Sequence, residues 1–240
     1  MENLKERKIG TLVAEDYRYA DVFKKHGIDF CCGGGITINA ACTKHNLDEE
    51  QLIKELKAIV VKADQTGDYN NWELDRLADH IVNTHHEYVN NNLPMIRAYS
   101  EKVAQVHGGR HPETKDLLNM VEEMENELYP HMTKEEAILF PYVKEMLVVK
   151  RKSSTLDPVH FGTIKNPINA MLDEHDKAGS IMKEIASVTS NFEPPQDACT
   201  TYRVLFQKLK DFESDLFQHI HLENNILFPK AIVLESELNG

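Results

Sequence analysis

Aromatic side chains are scarce, at 8% of 240 residues with a single tryptophan. Only four cysteines occur, and two of them, Cys31 and Cys32, are adjacent. Neighbouring cysteines rarely close on each other, because the ring is strained. No apolar run is long enough to span a bilayer, and residues 1–8 hold no apolar signal core. The chain therefore reads as cytoplasmic, with no membrane partner and reduced thiols. Basic residues are in deficit: 27 Lys and Arg face 39 Asp and Glu, for a net charge of −12. That balance argues against nucleic acid and anionic lipid, and it suits solvated helix faces. What is present is a 41% apolar fraction, enough for a core.

The expected fold class is all-α: a small N-terminal helical domain followed by an up-down four-helix bundle. Residues 1–64 form the small domain. Within 11–26, Leu12, Val13, Tyr17, Ala20, Val22 and Phe23 recur at helical spacing, and Gly27 suits the position just past a helix end. Gly33, Gly34 and Gly35 demand a loop after the cysteine pair. Residues 37–45 read as another helix, and Asp48 with Gln51 caps one more, reaching about residue 63. Polar residues 65–71 are the linker. Residues 72–240 divide into four helical stretches, near 72–106, 113–149, 166–190 and 197–234. Asn166 and Pro167 make a helix start. Pro94 predicts a kink or division of the first stretch, and Pro130 a kink or break just before His131.

One motif occurs twice. His131-Met-Thr-Lys-Glu135-Glu-Ala-Ile-Leu-Phe-Pro141 is echoed by His219-Ile-His-Leu-Glu223-Asn-Asn-Ile-Leu-Phe-Pro229. On a helix, i and i+4 share a face, so each copy aims an imidazole and a carboxylate at one point. A lone His-x3-Glu is usually a surface pair; two copies with the same four following residues are not. His86 and His175 precede the two copies at nearly equal distances, each in a helical pattern. Two helical hairpins would bring His86, His131, Glu135, His175, His219 and Glu223 into one bundle core. Four imidazoles and two carboxylates there make a dinuclear metal site. The absence of thiolates argues against structural zinc, and the mixture favours iron, with manganese and zinc as alternatives. Both glutamates can bridge the metals, alongside a shared oxo or hydroxo group, leaving a position for a small ligand. His85, His221, Glu136 and His80 point elsewhere on helical geometry, and solvated or capping roles are expected for them. Glu127 and Glu174 are placed to orient a ligand or relay a proton. Cys31 and Cys32, beside glycine-rich backbone, are candidate reactive thiols. Cys42 and Cys199 read as packing residues.

Asp29-Phe-Cys-Cys-Gly-Gly34, the two His-x3-Glu motifs, His175-Asp, Glu193-Pro-Pro and Ala198-Cys-Thr-Thr201 resemble the iron–sulfur cluster repair di-iron proteins, the RIC family, along nearly the whole chain. The resemblance implies a Cys-Cys domain followed by a hemerythrin-like bundle. It implies two non-heme irons held by the six residues above, and a stress-response role. Its partners would be iron–sulfur proteins damaged by nitric oxide or peroxide. Hemerythrins proper use more His and an Asp, which sets this chain apart from a simple oxygen carrier. Pro130 and Gly35 depart from the family pattern without removing a motif residue. The alternative is an oxygen- or nitric oxide-binding sensor whose small domain docks a partner. A homodimer is compatible with either.

Overall fold

The computed structural model describes residues 4–15, 19–30, 33–59 and 69–239. Among the described residues all regular elements are helical, apart from an isolated bridge between Lys8 and Thr37. The small N-terminal part contains α1 (Ile9–Glu15), α2 (Tyr19–Lys25), α3 (Ile38–His45) and α4 (Glu49–Ile59). The helical pattern over 11–26 is thus split between α1 and α2, and Tyr17 lies outside the described residues. Gly27 takes the expected left-handed conformation, φ +66°. Thr37 caps α3 by accepting from the Ala40 N–H at 3.2 Å. Asp48 caps α4 by accepting from the Glu50 and Gln51 amides.

Four long helical rods follow. α5 runs through Leu74–His80, Ile81–His86 and Glu87–His107. Glu113–Lys134, Glu135–Leu139 and Phe140–Lys152 make up α6. Helix α7 is Lys165–Val188, and α8 comprises Thr200–Leu222, Glu223–Leu227 and Phe228–Asn239. The middle segments of α5, α6 and α8 are π turns. α5 packs on α6 and α8, and α6 packs on α7. The start of α7 lies two residues earlier than Asn166 as cap suggests. Its cap is remote: Glu235 of α8 accepts from the Ile164 amide at 2.8 Å.

Neither Pro94 nor Pro130 divides its helix. Each costs the amide that would bond four residues back. Those two positions, Asn90 and Asn126, are exposed, so their carbonyls sit on wet faces of the rods. Of the kink or break expected before His131, no break occurs.

The apolar core comes in two pieces. One joins the small domain (Ile9, Leu12, Phe23, Ile38) to one half of the bundle (Val89, Leu128, Phe206, Leu216). The other fills the opposite half, around Leu77, Met146, Ile168 and Leu227. Burying each such side chain is worth roughly 1.5–3 kcal/mol. Between the two pieces lies a polar layer.

Candidate metal centre

That layer holds the six residues expected as ligands. His86, His131, Glu135, His175, His219 and Glu223 are all buried. They fall into two groups of four: His86, Glu135, His219 and Glu223 make one, and His131, Glu135, His175 and Glu223 the other. In each group the donor atoms lie within 4.8 Å of one another. Both carboxylates belong to both groups.

The repeated motif explains the placement. In α6 the Phe140 amide reaches back five residues to the Glu135 carbonyl, and in α8 the Phe228 amide does the same to Glu223. The next residue in each case is a proline with no amide to offer, so the wider π turn is not pulled back into α register. Each glutamate begins its π turn, directly after the α segment that carries the paired histidine. The phenylalanines serve the opposite pairing: Phe140 stacks on His86 at 5.9 Å, and Phe228 lies flat against His175 at 5.8 Å. His86 closes the π turn of α5. His175 alone sits on an unbroken α-helix.

The donor set fits cations. Nε2 of His86, both oxygens of Glu135 and Oε2 of Glu223 are buried without a hydrogen-bond partner. Nε2 of His131 and Nε2 of His175 face each other at 3.1 Å. His86 and His131 each bring Nε2 to 3.3 Å from Glu135, while His175 and His219 approach Glu223 at 3.1 Å. Burial and the charge of Glu223 push Glu135 above the usual carboxylate range. Burial opposes ionisation of Glu223 too, but His219 and His175 hold it well below that range. Burial alone would lower His175, yet its bond to Glu223 lifts it to about 9. His219, by contrast, is pressed down to about 3 by burial. A raised group such as His175 must shed its proton to take metal.

Comparison with known proteins follows the same lines. Residues 77–231 match the hemerythrin HHE cation binding domain, and residues 5–60 match a domain of unknown function, DUF542. A protein named iron-sulfur cluster repair protein YtfE from Edwardsiella ictaluri is 33% identical over 228 residues, covering 95% of this chain and 97% of its own. The YtfE of Enterobacter sp. is 32% identical over 231 residues, 96% of this chain and 99% of its own. The chain belongs to the iron–sulfur cluster repair family. As in the family pattern, its bundle is hemerythrin-like.

Against this family background, Glu136 and Asn224 take places that helical geometry had not assigned, while Glu174 lies beside a proposed ligand, where it was expected. Glu136, expected in solvent, accepts from Nδ1 of His86 at 2.8 Å. Asn224 accepts from Nδ1 of His175 at 2.7 Å. Glu174 accepts from His131 at 2.9 Å and is itself paired with Lys134. These contacts fix the tautomer that presents Nε2 to the centre. Glu127 instead meets Lys177 at 2.6 Å, and among the described residues no hydrogen bond joins it to a proposed ligand.

His85 and His221 are not solvated: both are buried. His85 donates to Asp215 on α8 at 2.9 Å and lies flat on His219. His221 is roofed by the small domain, with Phe30 at 5.9 Å, and burial lowers its pKa to about 4. His80 stacks on Tyr69 beside Trp72. Cys199 is exposed rather than packed, 3.2 Å from Nε2 of His107; Cys42 is buried. Cys31 and Cys32 lie outside the described residues. No described helix is long and apolar enough to cross a membrane.

Proposed function

We propose that the chain holds a non-heme di-iron pair and uses it in repairing iron–sulfur clusters damaged by oxidative or nitrosative stress. The observation that carries the reading is the pair of buried four-residue groups sharing Glu135 and Glu223, in a chain aligned end to end with proteins named for cluster repair. Imidazole with carboxylate and no thiolate suits iron or manganese over structural zinc. Bound there, a di-iron pair would supply electron storage, a position for nitric oxide or oxygen, and releasable iron. The protein's own part is to hold the ligands. Glu135 and Glu223 offset the ions' charge, and Glu136, Glu174 and Asn224 orient the imidazoles. We assign Cys31 and Cys32 as the thiols that accept iron or pass electrons, since thiolates are good iron ligands. Cytoplasmic placement accords with Cys42 and Cys199 being free.

The test is recovery of activity by a nitric oxide-treated cluster enzyme when the iron-loaded protein is added, with metal analysis of the same sample. Recovery with two irons per chain is the expected result. Reversible nitric oxide binding without recovery would replace repair by the sensor reading. Cys31→Ala/Cys32→Ala should keep the di-iron spectrum and depress recovery. Full recovery by that variant would turn the small domain into a docking module.

A further inference from the structure

The two halves of the metal layer are not built alike. Each ligand imidazole presents Nε2 inward, so its Nδ1 is left for an outer partner. On the His131/His175 side both are held, by Glu174 and Asn224. Glu174 is in turn anchored by Lys134, and His175 is backed by the flat face of Phe228. On the other side, His86 has Glu136, a side chain 45% exposed. Nδ1 of His219 is buried with no protein partner. The ring against His219 is polar: His85, parallel to within 5° at a centroid distance of 5.6 Å.

That polar flank leads outward. His85 keeps one nitrogen on Asp215 and buries the other, Nε2, without a partner. Asp215 likewise has a buried, unpartnered oxygen, Oδ2, although its side chain is 16% exposed and so reaches the surface. Behind His175 and His86 the walls are phenylalanine. Lone pairs free to touch a cation therefore continue from the layer towards solvent beside His219.

Resting on the di-iron reading, we propose that the two metal positions are unequal: the ion between His86 and His219 is the exchangeable one, and it enters and leaves past His85 and Asp215. The ion between His131 and His175 is the resident. Outer hydrogen-bond partners of a ligand are worth roughly 10- to 100-fold in metal affinity. A difference of about that size between the two positions follows. No redox step is involved; a ferrous ion exchanges one set of nitrogen and oxygen ligands for another.

The experiment uses the full-length protein loaded with two ferrous ions per chain and mixed anaerobically with excess chromogenic ferrous chelator. Release in two equal phases is expected, their rates about 10- to 100-fold apart. An anomalous-scattering crystal structure at one iron per chain should show the metal at His131/His175. Asp215→Asn keeps an acceptor for His85 but removes the charge; it should slow the fast phase several-fold, leave the slow phase alone and leave total iron unchanged. His85→Phe, which keeps a ring on His219, should do the same. A single release phase, or first occupancy at His86/His219, overturns the inequality. An unchanged fast phase in both variants overturns the exit route. Failure of cluster repair with two-phase release intact would count against the repair role and leave this inference standing; single-phase release by a protein that repairs would do the reverse.

Discussion

Glu135 and Glu223 each belong to both four-residue groups, so on the proposed reading either substitution acts on the whole centre. Glu135→Ala should remove metal from both positions, as read by iron analysis after loading. His131→Ala should spare the His86/His219 position, and equal loss in the two variants would show that the carboxylate is not shared. Asn224→Leu should weaken metal binding roughly 10- to 100-fold in a chelator competition; unchanged affinity would remove Asn224 from the centre. The six proposed ligand residues stood out because their spacing recurs, and recurrence is a signal that one chain can carry. Glu136, Asn224 and His85 carry no such signal. Their positions depend on where the π turns fall and on what α8 sets opposite α5, which residue type does not encode. His221 is hidden by a roof that comes from the other end of the sequence.

Pro141 and Pro229 hold the π turns open at the level of the element. Pro141→Ala returns an amide, and the turn starting at Glu135 can tighten to α register, rotating the carboxylate away from the layer. Circular dichroism should show unchanged helicity while iron loading falls; normal loading would mean that the π turn does not depend on proline. In the small domain, Gln51, Lys25 and His26 hold Glu55 down to about 2, against an ordinary value of 4.5. A depressed carboxylate stabilises the fold above its unfolded pKa, and the contribution disappears as pH falls from about 4.5 to about 2. Glu55→Gln should flatten acid unfolding across that window, monitored by tryptophan-independent probes such as far-ultraviolet dichroism. Number and order of the four long helices were readable from apolar periodicity. Their ends were not: the cap of α7 is a carboxylate of α8, and prolines on wet faces break nothing.

At the scale of the whole molecule, the small domain and one half of the bundle share a core, and their seam passes the metal layer. Gly10 and Gly34 lie back to back there, joined by the Gly10 amide to the Gly34 carbonyl at 2.8 Å, with Asn225 of the α8 π turn against Gly10. A Cβ on Gly10 would overlap the Asn225 side chain. Gly10→Ala should therefore loosen the small domain, read as faster amide exchange in α1, with iron content unchanged; unaltered exchange would mean the seam can absorb a methyl group. A chain lacking residues 1–64 retains every proposed ligand and should still bind two irons, though its uncovered apolar face should promote association. The polar layer between the two apolar pieces has a consequence for supply. Metal that binds only the folded layer adds about 2.7 kcal/mol of stability when free metal is a hundred times its dissociation constant. Stripped of metal, the chain keeps buried ionisable groups in its middle, and a larger share of it opens. Cellular proteases remove open chains, and differences of 1–2 kcal/mol change abundance about several-fold. The number of copies a cell retains would then track its supply of that metal, so a layer that binds ions would also meter how much of the protein exists to use them.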